Sequence, residues 1–158
     1  MADLKALARP AVEGLVNSSE DQLYEELGKR LKMVQADPQA AGAFEPSQQD
    51  REKIELETLG FVDDLKSLGK QFFAKVDRQA YEVMCGTSPG DQKDRDALSN
   101  AFGLGKDAVA ATLAGVLVAQ LGIAPILAAA VAALIIRLFF KPAYQEMCVI
   151  WKKKLPSE

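Results

Sequence analysis

Histidine is absent from the 158-residue chain. That removes the side chain that most often serves as a general base near neutral pH, and the commonest protein metal ligand. It excludes a Ser-His-Asp or Cys-His nucleophilic arrangement. It also excludes the E-x-x-H motif on which di-iron helical bundles depend. Cysteine is scarce: Cys85 and Cys148 stand alone, neither in a C-x-x-C pair. Two such residues make no disulfide framework. They are expected as free thiols that pack as small hydrophobes and do not act as nucleophiles.

Alternation of apolar and polar residues is missing as well, and so is any Asn-Gly or Asp-Gly hairpin turn. Strands are therefore not expected. There is no basic excess, with 19 Lys/Arg against 22 Asp/Glu, so nucleic acid is not an expected partner. The first residues, MADLKALARP, lack the long apolar run of a signal peptide. The expectation is a cytoplasmic protein that meets any membrane from its inner face.

What the chain does contain is one long apolar stretch, KDAVAATLAGVLVAQLGIAPILAAAVAALIIRLFFK, from Lys106 to Lys141, with no charge between Asp107 and Arg137. Gly122, Ile123, Ala124 and Pro125 interrupt it. Glycine takes positive φ at a helix end without steric cost, and proline suits the first position of the next helix. The stretch reads as two helices, about 107–121 and 125–140, joined by a tight turn. Both are apolar on nearly every face, which means burial in a protein core or in lipid. Each arm spans roughly 22–24 Å, short of the ~30 Å hydrocarbon core of a bilayer.

The charge is divided along the chain. Residues 1–105 carry 13 Lys/Arg against 19 Asp/Glu, and residues 106–158 carry 6 against 3. Lys106, Arg137 and Lys141 sit at the open end of the hairpin, with Trp151, Lys152, Lys153 and Lys154 beyond. A greasy tip with a basic base suits entry into a bilayer, with the cations left at the headgroups. The same residues equally describe a buried hairpin with a solvated basic tail.

Around the hairpin the apolar residues recur at helical spacing. Leu4, Leu7, Ala11 and Leu15 share one face, with Pro10 either kinking that helix or marking its start. Ser19 and Gln22 form a capping box for a helix with the stripe Leu23, Leu27, Leu31 and Val34. The segment 37–47 is a loop anchored by Phe44 and followed by a Ser47 cap. From 48 to 84, Ile54, Phe61, Leu65, Leu68, Phe72, Val76 and Val83 share a face that is expected to cover the hairpin, with a bend or break at Gly60. Ser88-Pro89-Gly90-Asp91 starts a short helix carrying Leu98 and Phe102. The last helix, ending near Lys154, turns Tyr144, Met147, Cys148 and Trp151 inward. The fold class expected is all-α: a single-domain bundle of six to eight helices around the hairpin. It has acidic amphipathic helices over 1–105, the hairpin over 106–141 and a basic terminal helix over 142–158.

Gly103-Leu104-Gly105-Lys106 falls short of the phosphate-loop pattern, because its spacing is short and no strand precedes it. Glu20-Asp21, Glu25-Glu26 and Asp63-Asp64 are adjacent pairs that point to different helix faces. Glu25 and Glu26 lie four residues before Lys29 and Arg30, a pattern of solvated ion pairs. No catalytic residue, cofactor, metal or small-molecule substrate is expected. The expected function is a non-enzymatic one exercised through protein contacts, as an adaptor or an oligomerising module that binds a protein partner or itself. The alternative is a membrane-active protein whose hairpin inserts as a pore or anchor. A hydrophobic hairpin wrapped by amphipathic helices resembles the general layout of colicin-type pore domains. The likeness is carried by no motif, and this chain is shorter.

Overall fold

The computed structural model describes residues 4–87 and 89–155. Among them the protein is all-helical, with eight α-helices: α1 Leu4–Leu15, α2 Glu20–Ala36, α3 Gln48–Glu57, α4 Val62–Cys85, α5 Gln92–Phe102, α6 Lys106–Leu121, α7 Pro125–Phe139 and α8 Tyr144–Lys154. Short 3₁₀ turns at Pro38–Gly42 and Pro89–Asp91 lie between them. Ser88, the expected cap before α5, lies outside the described residues.

The hairpin of α6 and α7 is the centre. Every residue from Ala108 to Leu117 and from Ile126 to Ile136 is buried. Alanine and glycine make this possible, because small side chains let neighbouring helices come close on all sides. Helix α1 lies across α6 and also touches α7, α2 lies on α7, and α5 closes the remaining side of α6. At Gly115 of α6, a methyl group would come within 3.4 Å of Leu4 Cβ and 3.3 Å of the Lys5 backbone nitrogen.

Helix α4 does not cover the hairpin as expected. It packs chiefly on α2, as a second layer, and meets α6 only at its margin. The reason is a reciprocal close crossing. A Cβ built on Gly28 of α2 would lie 2.1 Å from the Leu65 carbonyl oxygen, and one on Gly69 of α4 would lie 2.1 Å from that of Tyr24. The two backbones touch where side chains normally hold helices 8–10 Å apart. Gly69 is therefore a contact residue, beyond its propensity cost.

Several expected faces are turned. In α1 the buried residues are Ala8, Ala11 and Val12, while Leu7 is exposed. Pro10 lies inside the helix and does not start it. In α2, Leu23 and Leu27 are buried as expected, joined by Tyr24, Arg30 and Met33. The 48–84 segment breaks into α3 and α4 at Gly60, whose φ of 82° only glycine adopts readily. Ile54, Leu65, Val76 and Val83 are buried, but Phe61 is exposed because it lies in that break. Capping follows the expected residues: Ser19 and Gln22 form the reciprocal box at α2, and Ser47 accepts from the Asp50 N–H at α3.

Candidate interaction surface

The hairpin tip closes with glycine in the left-handed region. Gly122 has φ 65° and ψ 21°, and the N–H groups of Gly122 and Ile123 both reach the Leu117 carbonyl. The second bond, six residues back, is that of a Schellman ending. Pro125 is the first residue of α7, and the Ala124 carbonyl accepts from Leu127 and Ala128. Gly122 is exposed, Ala124 and Pro125 are half-buried, and Ile123 is buried. No single helix among the described residues is long and apolar enough to cross a membrane, and α8 turns away from α7 by 95°.

At the other end, Lys106 donates to Asn17 Oδ1 at 3.1 Å. Arg137 and Lys141 are exposed. Trp151 is fully buried, which takes it out of the surface contacts considered above. Its ring stacks on Phe139 at 5.2 Å and meets the Tyr81 ring edge-on at 5.5 Å. Its Nε1–H donates to Asp77 Oδ1 at 2.7 Å. Burial raises the Asp77 pKa, opposed by the Trp151 hydrogen bond and the charge of Arg78. Lys152, Lys153 and Lys154 remain exposed, and the Lys154 ammonium sits 5.9 Å from the Phe139 ring centre.

The cysteines are not free. Cys85, at the end of α4, and Cys148, on α8, form a disulfide with their Cα atoms 5.7 Å apart. The expectation of free thiols falls with it. The Tyr144 hydroxyl adds a hydrogen bond to the Met84 carbonyl. Burial pushes its pKa up to about 12; the nearby charge of Arg95 opposes this and that of Asp96 adds to it. Helix α8 is thus clamped to α4 by a covalent bond and two polar contacts. No local pattern announces this, because the partners lie 63 residues apart.

The Glu26–Arg30 pair is not the solvated pair expected. Arg30 is only 2 % exposed, and its guanidinium makes three bonds: to Glu26 Oε2 at 2.8 Å, the Phe44 carbonyl at 2.7 Å and the Ile126 carbonyl at 2.8 Å. Arg51 of α3 grips the same carboxylate with two bonds of 3.0 and 3.1 Å. Burial alone would raise the Glu26 pKa. The Arg51 hydrogen bonds, with the charge and hydrogen bond of Arg30, outweigh it and bring the pKa down to about 2. Such a carboxylate neither gives nor takes a proton near neutral pH. With Arg30 it forms an anchor: Glu26 holds Arg30 and Arg51, and Arg30 bonds the 37–47 segment and the first turn of α7, so α2, α3, that segment and α7 are tied together. Glu25 and Lys29 do pair, at 3.2 Å, but with both side chains partly buried instead of fully solvated.

The surface feature that sequence periodicity missed is the corner between α3 and α4. Leu56, Leu59, Phe61 and Val62 are all exposed, Leu56 by 73 % and Phe61 by 56 %. A groove of about 440 Å³ on one side is lined by Phe61, Leu65 and Leu68, with Lys32, Glu57 and Asp64 at its rim. A second, of about 230 Å³, runs past Leu59, Gly60 and Val62 on the other side. Single exposed hydrophobes are ordinary, but four within seven residues around one helix–helix corner are a concentration of the kind that marks a contact surface. Among the described residues no three His, Cys, Asp or Glu side chains are grouped to hold a metal ion. No family model, no curated protein and no solved structure matches the chain.

Proposed function

We propose that this is a non-enzymatic helical module that works through protein contacts made at the α3–α4 corner, with its apolar hairpin kept as a closed core. The observation that carries the reading is the contrast between the two hydrophobic elements. The hairpin is buried over residues 108–117 and 126–136 and reaches the surface only near its tip and at its open end, whereas Leu56, Leu59, Phe61 and Val62 present apolar surface outward. The Arg30 anchor supports it further, because it bonds the first turn of α7 to two other elements. Releasing the hairpin would take from that guanidinium one of its three acceptors, the Ile126 carbonyl, a cost of about 1–3 kcal/mol. The Cys85–Cys148 bond favours an oxidising compartment over the cytoplasm expected from the sequence.

The rival reading is insertion of the hairpin into a bilayer. One observation favours it: no charge lies between Asp107 and Arg137, and the tip at Gly122 reaches the surface. Vesicle leakage and co-sedimentation with anionic liposomes, across acidic to neutral pH, separate the two. The contact reading expects intact vesicles and protein left in the supernatant. A locked variant sharpens the test. Leu4→Cys with Gly115→Cys places two Cβ atoms about 3.4 Å apart, close to disulfide range, and ties α1 to α6. Leakage by the wild type that the lock abolishes, and that reduction restores, would show that the hairpin leaves the bundle.

A further inference from the structure

We infer that the α3–α4 corner of one copy takes the C-terminal helix α8 of a second copy. This rests on the contact reading above and names its partner. The corner is apolar and acidic. Around Leu56, Leu59, Phe61 and Val62 stand exposed Glu52, Glu55, Glu57, Asp63 and Asp64, with Lys53 the one exposed cation among residues 52–64. Helix α8 presents the opposite character. Val149 is exposed beside half-buried Ile150 over a groove of about 370 Å³ that Gln145 and Glu146 also line, and the exposed Lys152, Lys153 and Lys154 that follow outnumber that one carboxylate. Apolar contact between the two faces brings carboxylates against ammonium groups, the arrangement that fixes register and speeds encounter.

Geometry makes the pairing one between copies. The corner adjoins Val62, the first residue of α4, and α8 is bonded to Cys85, the last. The 24 residues between them form one helix, about 36 Å long. Helix α8 folds back along part of that helix, with Trp151 bonded to Asp77, 15 residues or about 22 Å from Val62, so within a copy the two faces stay apart. Between copies, each end offers the face that the other end lacks.

Sedimentation velocity over a wide concentration range, at low and high salt, tests this with full-length oxidised protein. Glu55→Lys/Glu57→Lys reverses the charge of one face, and Lys152→Glu/Lys153→Glu that of the other. All four side chains are exposed, so folding is checked by matching circular dichroism and unfolding midpoints. The wild type should associate, more weakly in salt. Each reversed variant alone should bind itself at least about tenfold more weakly, and mixing the two variants should restore association. Phe61→Asp should abolish association with either partner. A wild type that stays monomeric, or an association indifferent to these substitutions, overturns the pairing. A monomer that leaves vesicles intact overturns the pairing alone, whereas a vesicle-permeabilising protein overturns the closed-core reading beneath it.

Discussion

Replacing Gly28 by alanine should destabilise the protein, although alanine is the better helix former. The new methyl carbon would start 2.1 Å from the Leu65 carbonyl oxygen and 2.8 Å from its carbon. Ordinary contact begins near 3.4 Å, so α2 and α4 must separate by about 1.3 Å at their crossing. No rotamer change relieves this, because the obstructing atoms are backbone. Overpacking of this kind typically costs about 1–3 kcal/mol. A gap of an ångström also forfeits a quarter to a half of the dispersion energy around it. Helix propensity returns about 1 kcal/mol. The balance is a net loss of about 2 kcal/mol. Gly14 of α1 is the control, since nothing stands within 4 Å of its added methyl. There the same substitution should stabilise by about 0.5–1 kcal/mol. Gly69→Ala should behave like Gly28→Ala, and the double variant should lose less than the sum, because the first methyl already parts the helices. Urea unfolding followed by far-ultraviolet circular dichroism measures all four variants. A Gly28→Ala protein as stable as the wild type would refute the close crossing, and with it the reason α4 forms a second layer on α2.

Acid should find the Glu26 anchor. Its folded pKa of about 2 lies below the ordinary 4.5, so its contribution is full above about pH 4.5 and fades as pH falls toward 2. The loss is on the order of 3 kcal/mol, and Glu26→Gln should flatten that part of the stability–pH curve. Asp77 works in the opposite sense. Its pKa is raised by burial, so its charged form costs stability as pH rises through the folded pKa. Asp77→Asn should leave the protein at least as stable at neutral pH, whereas Asp77→Ala orphans the buried Trp151 N–H and should cost about 1–3 kcal/mol. Reducing the Cys85–Cys148 bond reopens a loop closed across 63 residues and should lower stability by about 4 kcal/mol, read by unfolding with and without a dithiol.

Local chemistry made much of this fold legible. The hairpin turn followed from glycine and proline in order, the caps from Ser19 and Ser47, and the helical class from periodicity. What stayed hidden depends on elements distant in sequence. Gly28 and Gly69 look like weak helix positions until two helices cross at them. Glu26 and Arg30 look like a surface pair until Arg51, Phe44 and Ile126 enclose them. Cys85 and Cys148 show no pairing signal, because what brings them together is the packing of α8 on α4. The exposed corner was misread for a related reason. Phe61 fits the helical stripe of 48–84, and only the positive φ at Gly60 takes it off that stripe and into solvent.

Hydrogen exchange of the α6 and α7 amides tests the central claim, that the hairpin is a closed core, most directly. The account predicts that amides over 109–117 and 128–136 exchange only through global unfolding, with the same free energy as urea denaturation and more slowly than those of α3 and α5. Exchange of those amides well below the global free energy, while α2 and α4 stay protected, would mean that the hairpin opens out of an intact shell, and the closed-core account would be wrong.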